Sequence, residues 1–298
     1  MPSTRQVCGW ARGAAACWMA AAIAASPGAS QAPNPDVSEK ALVAAAAAYV
    51  EEYQKNFAFL IADEIYTQSL FGANARTRDT TIISSGSQVT QTRLMKSELF
   101  LTYLPADREW IAVRDVLEVD SVPIAGREDL RQLLSRSENM RGLTSQLVAR
   151  NSRYNIGRVE RNFNEPTLPL LLLERKRIGG VKFSRRQVFR EGQVTLATLS
   201  FAERDETLVS SPRGPIPAKG EFLIEAGTGI VRRTLFELAT AGTKVKLETT
   251  YARDEKLNLW LPATFTERYE TDGMMRELIL CDAKYTNYRR VEVTARIK

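Results

Sequence analysis

Histidine is missing from all 298 residues. That absence removes Ser-His-Asp and Cys-His catalytic arrangements, imidazole-based zinc motifs and the commonest general base. A Ser–Lys pair or a carboxylate dyad stays open, so a His-independent hydrolase is the least favoured class rather than an excluded one. Cysteine is nearly as scarce. Two of the three, Cys8 and Cys17, stand near the N-terminus, and only Cys281 remains beyond them. Without the leader the chain can form no intramolecular disulfide. Cys281 lies in the apolar run Leu278–Cys281 and reads as a small buried hydrophobe. No apolar run reaches the roughly 20 residues that a membrane-spanning helix needs. Excess charge is also slight: 41 basic against 35 acidic residues, a formal net of +6. The densest clusters are Arg175-Lys176-Arg177, Arg185-Arg186 and Arg289-Arg290. None builds an arginine-rich helix, so nucleic acid is not expected as a partner. They read as solvated strand faces and turns, with lipid head groups as the functional alternative.

What is present begins with an address. Arg5 and Arg12 precede the apolar run Gly13–Ala25, small residues follow, and Pro33-Asn34-Pro35 breaks the pattern. A basic start, an apolar run of about 7–15 residues and a small-residue exit describe a secretory signal peptide over residues 1–32. Its loss removes two arginines and no acid. Cleavage after Ser30 avoids a proline directly after the cut. Ala14-Ala15-Ala16-Cys17 superficially offers a lipid-accepting cysteine, but most of the apolar run follows Cys17 instead of preceding it. The expected location is therefore periplasmic or secreted, with residues 33–298 as a single domain.

That domain opens with a helix. Asp36-Val37-Ser38-Glu39 has the form of a capping box with Asp36 as the cap. Leu42, Ala46, Val50, Tyr53 and Phe57 then recur at helical spacing. From Phe57 the period shifts towards two, predicting a strand at about 60–70. Residues 72–90 read as a loop. Leu99–Leu104 and Trp110–Val113 form a hairpin across Pro105–Arg108. Arg127–Leu134 and Glu138–Arg150 carry leucines at helical spacing, and Pro166–Leu173 is a short, almost wholly apolar third segment. The remainder is all-β: 181–189, 194–202, 221–225, 230–238, 244–251, 257–261, 264–269, 277–285 and 290–296, with Pro212–Gly220 as a loop or linker. Consecutive strands on short turns make an antiparallel meander. The expected class is α+β: a large curved antiparallel sheet, or half-barrel, with an N-terminal helix and a central helical lid over residues 127–173.

The run Glu221–Thr234, Thr249–Tyr251, Leu257–Pro262 and Thr266–Tyr269 resembles the repeating strands of the bacterial lipoprotein-carrier (LolA/LolB-like) half-barrels. The resemblance is architectural over residues 180–296 and weaker over 38–120. The chain also resembles uncharacterised secreted bacterial proteins through Asn151–Gly157 and Tyr285–Arg290. These resemblances imply an open barrel closed by helices, a lipid or lipidated protein as partner, and no catalytic motif or cofactor. The middle helices are longer than in the carriers.

Three constellations carry the functional reading. Phe57, Phe59, Trp110, Leu147, Leu170, Leu171, Phe183 and Trp260 are the candidate lining of an apolar cavity, although core packing explains each one singly. Arg153 and Tyr154 are the candidate head-group contacts, in a stretch that otherwise reads as a helix end. Arg114, Glu118 and Asp120 share one face of a strand. Asp115 points the other way, on the side of Val113 and Val119, and requires an internal partner such as an arginine. No metal site or catalytic residue is expected. The function so read is an exported, non-enzymatic carrier for a lipid, acyl chain or lipidated protein, with peripheral membrane contact. The alternative is an envelope protein-interaction module with a filled core.

Overall fold

The computed structural model describes residues 35–57, 59–72, 77–78, 82–83, 88–137, 139–161, 165–204, 206–240, 242–272 and 276–291. The expected signal segment, most of the expected 72–90 loop and residues 292–296 of the last expected strand lie outside them.

Helix α1 (Glu39–Asn56) forms over the alanine-rich stretch where propensity is highest. Its cap is Ser38, whose side chain accepts from the Ala41 N–H, and Asp36 instead accepts from the Ser38 N–H. The cap therefore sits two residues later than the sequence pattern suggests. The apolar stripe is as expected: Leu42, Ala46, Val50, Tyr53 and Phe57 are all buried.

The strands follow as β1 (Leu60–Phe71), the two-residue pair β2 (Thr77–Arg78) and β3 (Ile82–Ile83), β4 (Val89–Leu104), β5 (Glu109–Val119) and β6 (Val122–Pro123). Helices α2 (Leu130–Arg136) and α3 (Met140–Ser152) come next, and then two 3₁₀ segments, Leu168–Leu173 and Ile178–Gly180. The chain ends in β7 (Val181–Glu191), β8 (Val194–Glu203), β9 (Val209–Ser211), β10 (Gly214–Ile216), β11 (Ala218–Glu225), β12 (Val231–Thr240), β13 (Thr243–Asp254), β14 (Leu259–Thr271) and β15 (Leu278–Arg290). The expected loop at 212–220 thus contains most of the small β9–β10 hairpin and the start of β11. The expected strands 257–261 and 264–269 fuse into β14, and β15 runs past the expected end at 285 to Arg290. Pro262 is tolerated inside β14 because the ladder to β15 begins only at Thr264, and the pairing with β13 shifts at Thr250/Tyr251.

Eleven strands make one antiparallel sheet in the order β6-β5-β4-β1-β15-β14-β13-β12-β11-β8-β7. β6 and β7 are opposite edges, so the sheet is open. Every sequential pair within it is adjacent except β6 and β7, and residues 124–180 carry the chain from one edge to the other. This crossing decides what covers each face.

On the front face, Leu60, Ala62 and Tyr66 of β1 join Leu99 and Leu101 of β4 and Phe222, Phe236, Leu247 and Phe265 of the meander. They pack with α1 and Leu168–Leu173 in the main core. On the back, Ile61, Phe100, Ile111 and Val113 pack with Leu130, Leu134 and Leu147 of α2 and α3. The helical insertion expected as one lid therefore divides: α2 and α3 cover the back of β1, β4 and β5, and the chain beyond α3, with Tyr154, Val159 and the 3₁₀ leucines, covers the front. The reason is strand parity. Phe100, Ile111 and Val113 give that end of the sheet a second apolar face that needs its own cover.

Gly229 lets α1 approach the β11–β12 turn. It sits at φ +75°, and a Cβ there would lie 2.1 Å from the Ala45 carbonyl oxygen.

Candidate functional site

The front face holds the features that go beyond packing. Leu168, Pro169 and Leu170–Leu173 form a 3₁₀ segment with every side chain buried. Pro169 stands in its first turn, where a missing N–H costs nothing. The segment packs against α1 and β12. It is fixed at both ends by polar contacts. The Pro166 carbonyl accepts from Thr249 Oγ1 at 2.8 Å and Tyr251 Oη at 2.9 Å. At the other end Glu174 Oε1 accepts from Gln54 Nε2 of α1 at 2.8 Å and Tyr103 Oη of β4 at 2.9 Å.

Around this segment several buried polar atoms have no hydrogen-bond partner: the hydroxyls of Thr167, Tyr53 and Thr234, and the Trp110 indole N–H. Each carries a desolvation cost of about 1–3 kcal/mol when left unpaired. The leucine segment therefore covers polar groups that it cannot satisfy.

One end of the front face is polar. Alternation along β1 sets Glu64, Tyr66 and Gln68 in line with Leu60 and Ala62, and the irregularity in the pairing with β15 falls on the β15 side. Arg114 of β5 forks onto Glu64 and lies 3.9 Å above the Tyr66 ring. Glu267 accepts from the hydroxyls of Tyr66 and Tyr269, and burial pushes both phenols well up from their ordinary value. Gln68 Oε1 accepts from Arg161 Nη2 at 2.7 Å and from the Ile156 N–H at 3.1 Å. Arg161 also donates to Cys281, whose thiol burial pushes up to about 12.

A cavity of about 80 Å³ adjoins this end, bounded by Met95, Leu99, Arg114, Asn155, Glu165 and Tyr285. Burial, with the Glu109 charge adding, pushes the Glu165 carboxyl up to about 8. Gly157 holds the chain close over β15, where a Cβ would meet Ile279 Cδ1 at 2.5 Å. Its left-handed φ serves that approach rather than the helix cap read from the sequence, because α3 has already ended at Ser152.

The candidate lining residues fall into two groups. Phe57, Trp110, Leu170 and Leu171 are buried in the front core, with half-buried Phe183 and Trp260 packed against it. Phe57 and Trp110 meet edge to face at 4.8 Å, and Arg232 lies 3.8 Å above the Trp260 ring. Phe59 and Leu147 lie instead in the back layer, where Phe59 stacks on Phe100. The sequence groups Phe57 with Phe59, but Phe57 caps α1 while Phe59 belongs to the strand entry beyond it. Arg153 donates to the Tyr154 hydroxyl at 2.6 Å, and the Tyr154 carbonyl accepts from Gln68 and Arg93.

Asp115 has the partners expected of it: fully buried on the back face, it pairs with Arg127 and Arg150. Val119, however, packs with the front core, because the β4–β5 register shifts between Lys96 and Ser97. Sequence reasoning missed Gln68 with Arg161 and the role of Glu174. The polar residues Glu64, Gln68 and Tyr66 at alternate positions of β1 were visible, but their partners Arg114, Arg161 and Glu267 lie 50, 93 and 201 residues away.

A larger surface groove, about 580 Å³, lies elsewhere, across the ends of β8 and β11–β14. Its floor carries Ala202, Lys219, Glu237, Lys246 and Arg268, which stand in one register row. None of the candidate lining residues borders it. Among the described residues no group of three acidic or thiol side chains is placed to hold a metal ion.

The fold and the front face together define an open antiparallel sheet plugged by a helix and an apolar segment. No family model and no curated protein matches the chain. Among solved structures it is similar to an outer membrane lipoprotein-sorting protein domain from Vibrio parahaemolyticus. The two are 11% identical, with 84% of this chain and 92% of that one covered and a TM-score of 0.32. It is also similar to a DUF1329 family protein from Desulfovibrio piger ATCC 29098, 9% identical, with 87% and 95% covered and a TM-score of 0.32. Likenesses at this score leave function to the chain's own residues.

Proposed function

We propose that the protein is an exported, non-enzymatic carrier that holds an acyl chain, lipid or lipidated protein on its front face, in the place taken by Leu168–Leu173. The observation that supports this is the segment itself: six buried apolar residues in a 3₁₀ turn, seated over unpaired polar atoms. A 3₁₀ turn has poorer hydrogen-bond geometry than an α-helix and holds few residues. Displacing it costs little backbone bonding and lets water or ligand satisfy Tyr53, Trp110 and Thr234.

An acyl chain that refills the space recovers about 0.8 kcal/mol per buried CH₂. Phe57, Trp110, Leu170, Leu171, Phe183 and Trp260 are the proposed lining, and Arg153 and Tyr154 the proposed head-group contacts. Phe59 and Leu147 enter this reading only through the back layer that supports β1 and β5. The envelope is the proposed location.

The test is native mass spectrometry of protein recovered from its exported compartment, followed by organic extraction. A released lipid or acyl mass supports the carrier. A clean apo mass, with no uptake of offered lipid, overturns it. Leu171→Asp then separates two causes: a folded variant that no longer holds lipid places the ligand at the leucine segment, and general unfolding marks a filled core.

A second reading is favoured by one feature. The edge strand β7 leaves Val188 and Phe189 exposed, at 42% and 44%, and an unpaired edge is a template for an added strand. In that reading the protein is an interaction module, and Phe189→Lys abolishes partner binding without altering lipid content.

A further inference from the structure

Strand alternation puts a second set of residues behind the meander. Lys219, Glu237, Lys246 and Arg268 alternate with Ala218, Leu238, Val245 and Tyr269 of the front core, so their row lies on the back of the sheet. The back cluster beneath α2 and α3 contains no residue of these strands. The groove of about 580 Å³ runs along this row and the next, where Ala239 pairs with Lys244 and Lys244 with Glu270. Its low points are Ala202, Pro217 and Ala239, set among long charged side chains. That volume is ordinary for a site that takes a small organic molecule, about 300–1,000 Å³.

The charges along the groove do not cancel. Lys219 faces Glu237 across the ladder, and Lys244 faces Glu270. Both acids are turned to other partners: Glu237 lies 3.9 Å from Lys246, and Glu270 lies 3.1 Å from Arg268. Glu203 at the groove's end accepts from the Leu208 and Ala218 N–H groups at 2.8 and 2.7 Å, and burial raises its carboxyl. Lys219 and Lys244 are thus exposed cations with no ion pair or hydrogen bond among the described residues. They stand two strands apart, about 10 Å across the sheet, with β12 and its Ala239 between them.

We infer that this groove is a binding site for a small organic anion, a carboxylate or sulfonate carried on an apolar ring system. The floor favours a flat body, because it is sheet backbone under two methyl groups and a proline ring. The acid group supplies the countercharge that Lys219 and Lys244 lack within the chain, through charge-assisted hydrogen bonds from either side of Ala239. The site is independent of the carrier reading, since no residue proposed to line the front face borders it.

Two dyes that differ by a single group test it: 8-anilinonaphthalene-1-sulfonate and its neutral analogue N-phenyl-1-naphthylamine. Both brighten in apolar surroundings, so each is titrated by fluorescence on the purified protein. An exposed charge contact is worth about three-fold in affinity, so two lysines should make the sulfonate bind about ten-fold tighter than the amine. Lys219→Gln combined with Lys244→Gln should bring the sulfonate to the amine's affinity and leave the amine unchanged. Ala239→Gln fills the floor without altering charge and should weaken the sulfonate by a similar factor. Loosened packing raises the signal of such dyes, so a fall in these variants is not misfolding. Should the double variant melt early, Lys244→Gln alone replaces it, with a loss of about three-fold.

Equal affinity for the two dyes in the wild type overturns the site. So does sulfonate binding that neither the lysine pair nor Ala239→Gln weakens. Displacement of the sulfonate by hexadecanol, a neutral acyl chain, would place the dye on the front face and overturn the groove as well.

Discussion

Asp115 of β5 and Arg150 of α3 meet at 2.5 Å across the back of the sheet, and Arg127 closes on the second carboxylate oxygen at 2.9 Å. The acid is fully buried, whereas the two arginines keep 34% and 24% of their side chains in solvent. That asymmetry fixes the sign of what each removal does.

Removing both arginines leaves a carboxylate stranded in the sheet, a situation that costs about 3–5 kcal/mol. Removing the acid leaves two cations that turn outward to water. Arg127→Ala with Arg150→Ala should therefore lower the urea midpoint by clearly more than Asp115→Ala does, with unchanged m-values. The reverse order would mean that the pair does not hold the α2–α3 layer.

Gly229 and Gly192 both have positive φ, +75° and +59°, but only Gly229 is crowded by a backbone, that of α1. Gly192→Ala should cost only the left-handed penalty, about 1–2 kcal/mol. Gly229→Ala pushes α1 off the turn as well and should lower Tm further, by at least about 2–4 °C for each additional kcal/mol in a chain of this size. Equal shifts by calorimetry would show that α1 is not seated as described.

Glu165 predicts a pH dependence. Its carboxyl rises from 4.5 to about 8 in the folded chain. The folded state therefore keeps a proton that the unfolded state gives up. The contribution to stability is complete below about pH 4.5, declines as pH rises, and is lost once pH passes about 8. Glu203 and Asp282 are also raised by burial and act with the same sign. The informative quantity is thus the difference between wild type and Glu165→Gln. That difference should grow in favour of the variant from pH 5 to pH 8 in thermal melts, and a flat difference would refute the assignment.

Glu174 ties the end of the leucine segment to α1 through Gln54 and to β4 through Tyr103. Glu174→Ala removes the acceptor for both. Hydrogen exchange should quicken at residues 170–173 while the β12–β14 amides keep their protection. Protection unchanged at the segment would mean that apolar packing alone holds it, without the Glu174 contacts.

Much of the architecture was legible in the residues. The stripe Leu42-Ala46-Val50-Tyr53-Phe57 announces α1, and the β4–β5 hairpin falls at the expected turn, with Leu104 opposite Glu109. The outward parity of Asp115 from Arg114 was equally plain, because alternation is a local property of a strand. Local pattern misled where one residue changes the parity. The shift between β4 and β5 moved Val119 to the front, and no composition signal marks that position.

By itself the sequence determined the kinds of element, the meander, the absence of imidazole chemistry and the apolarity of residues 168–173, since each depends on neighbours within a few positions. Only the tertiary structure decided that β6 and β7 are opposite edges and that residues 124–180 must cross between them. That crossing puts α2 and α3 behind the sheet and sends the leucines to the front. These outcomes depend on contacts between residues tens to hundreds of positions apart. Closing such loops costs entropy that only the complete core repays, and no local stretch of sequence carries that balance.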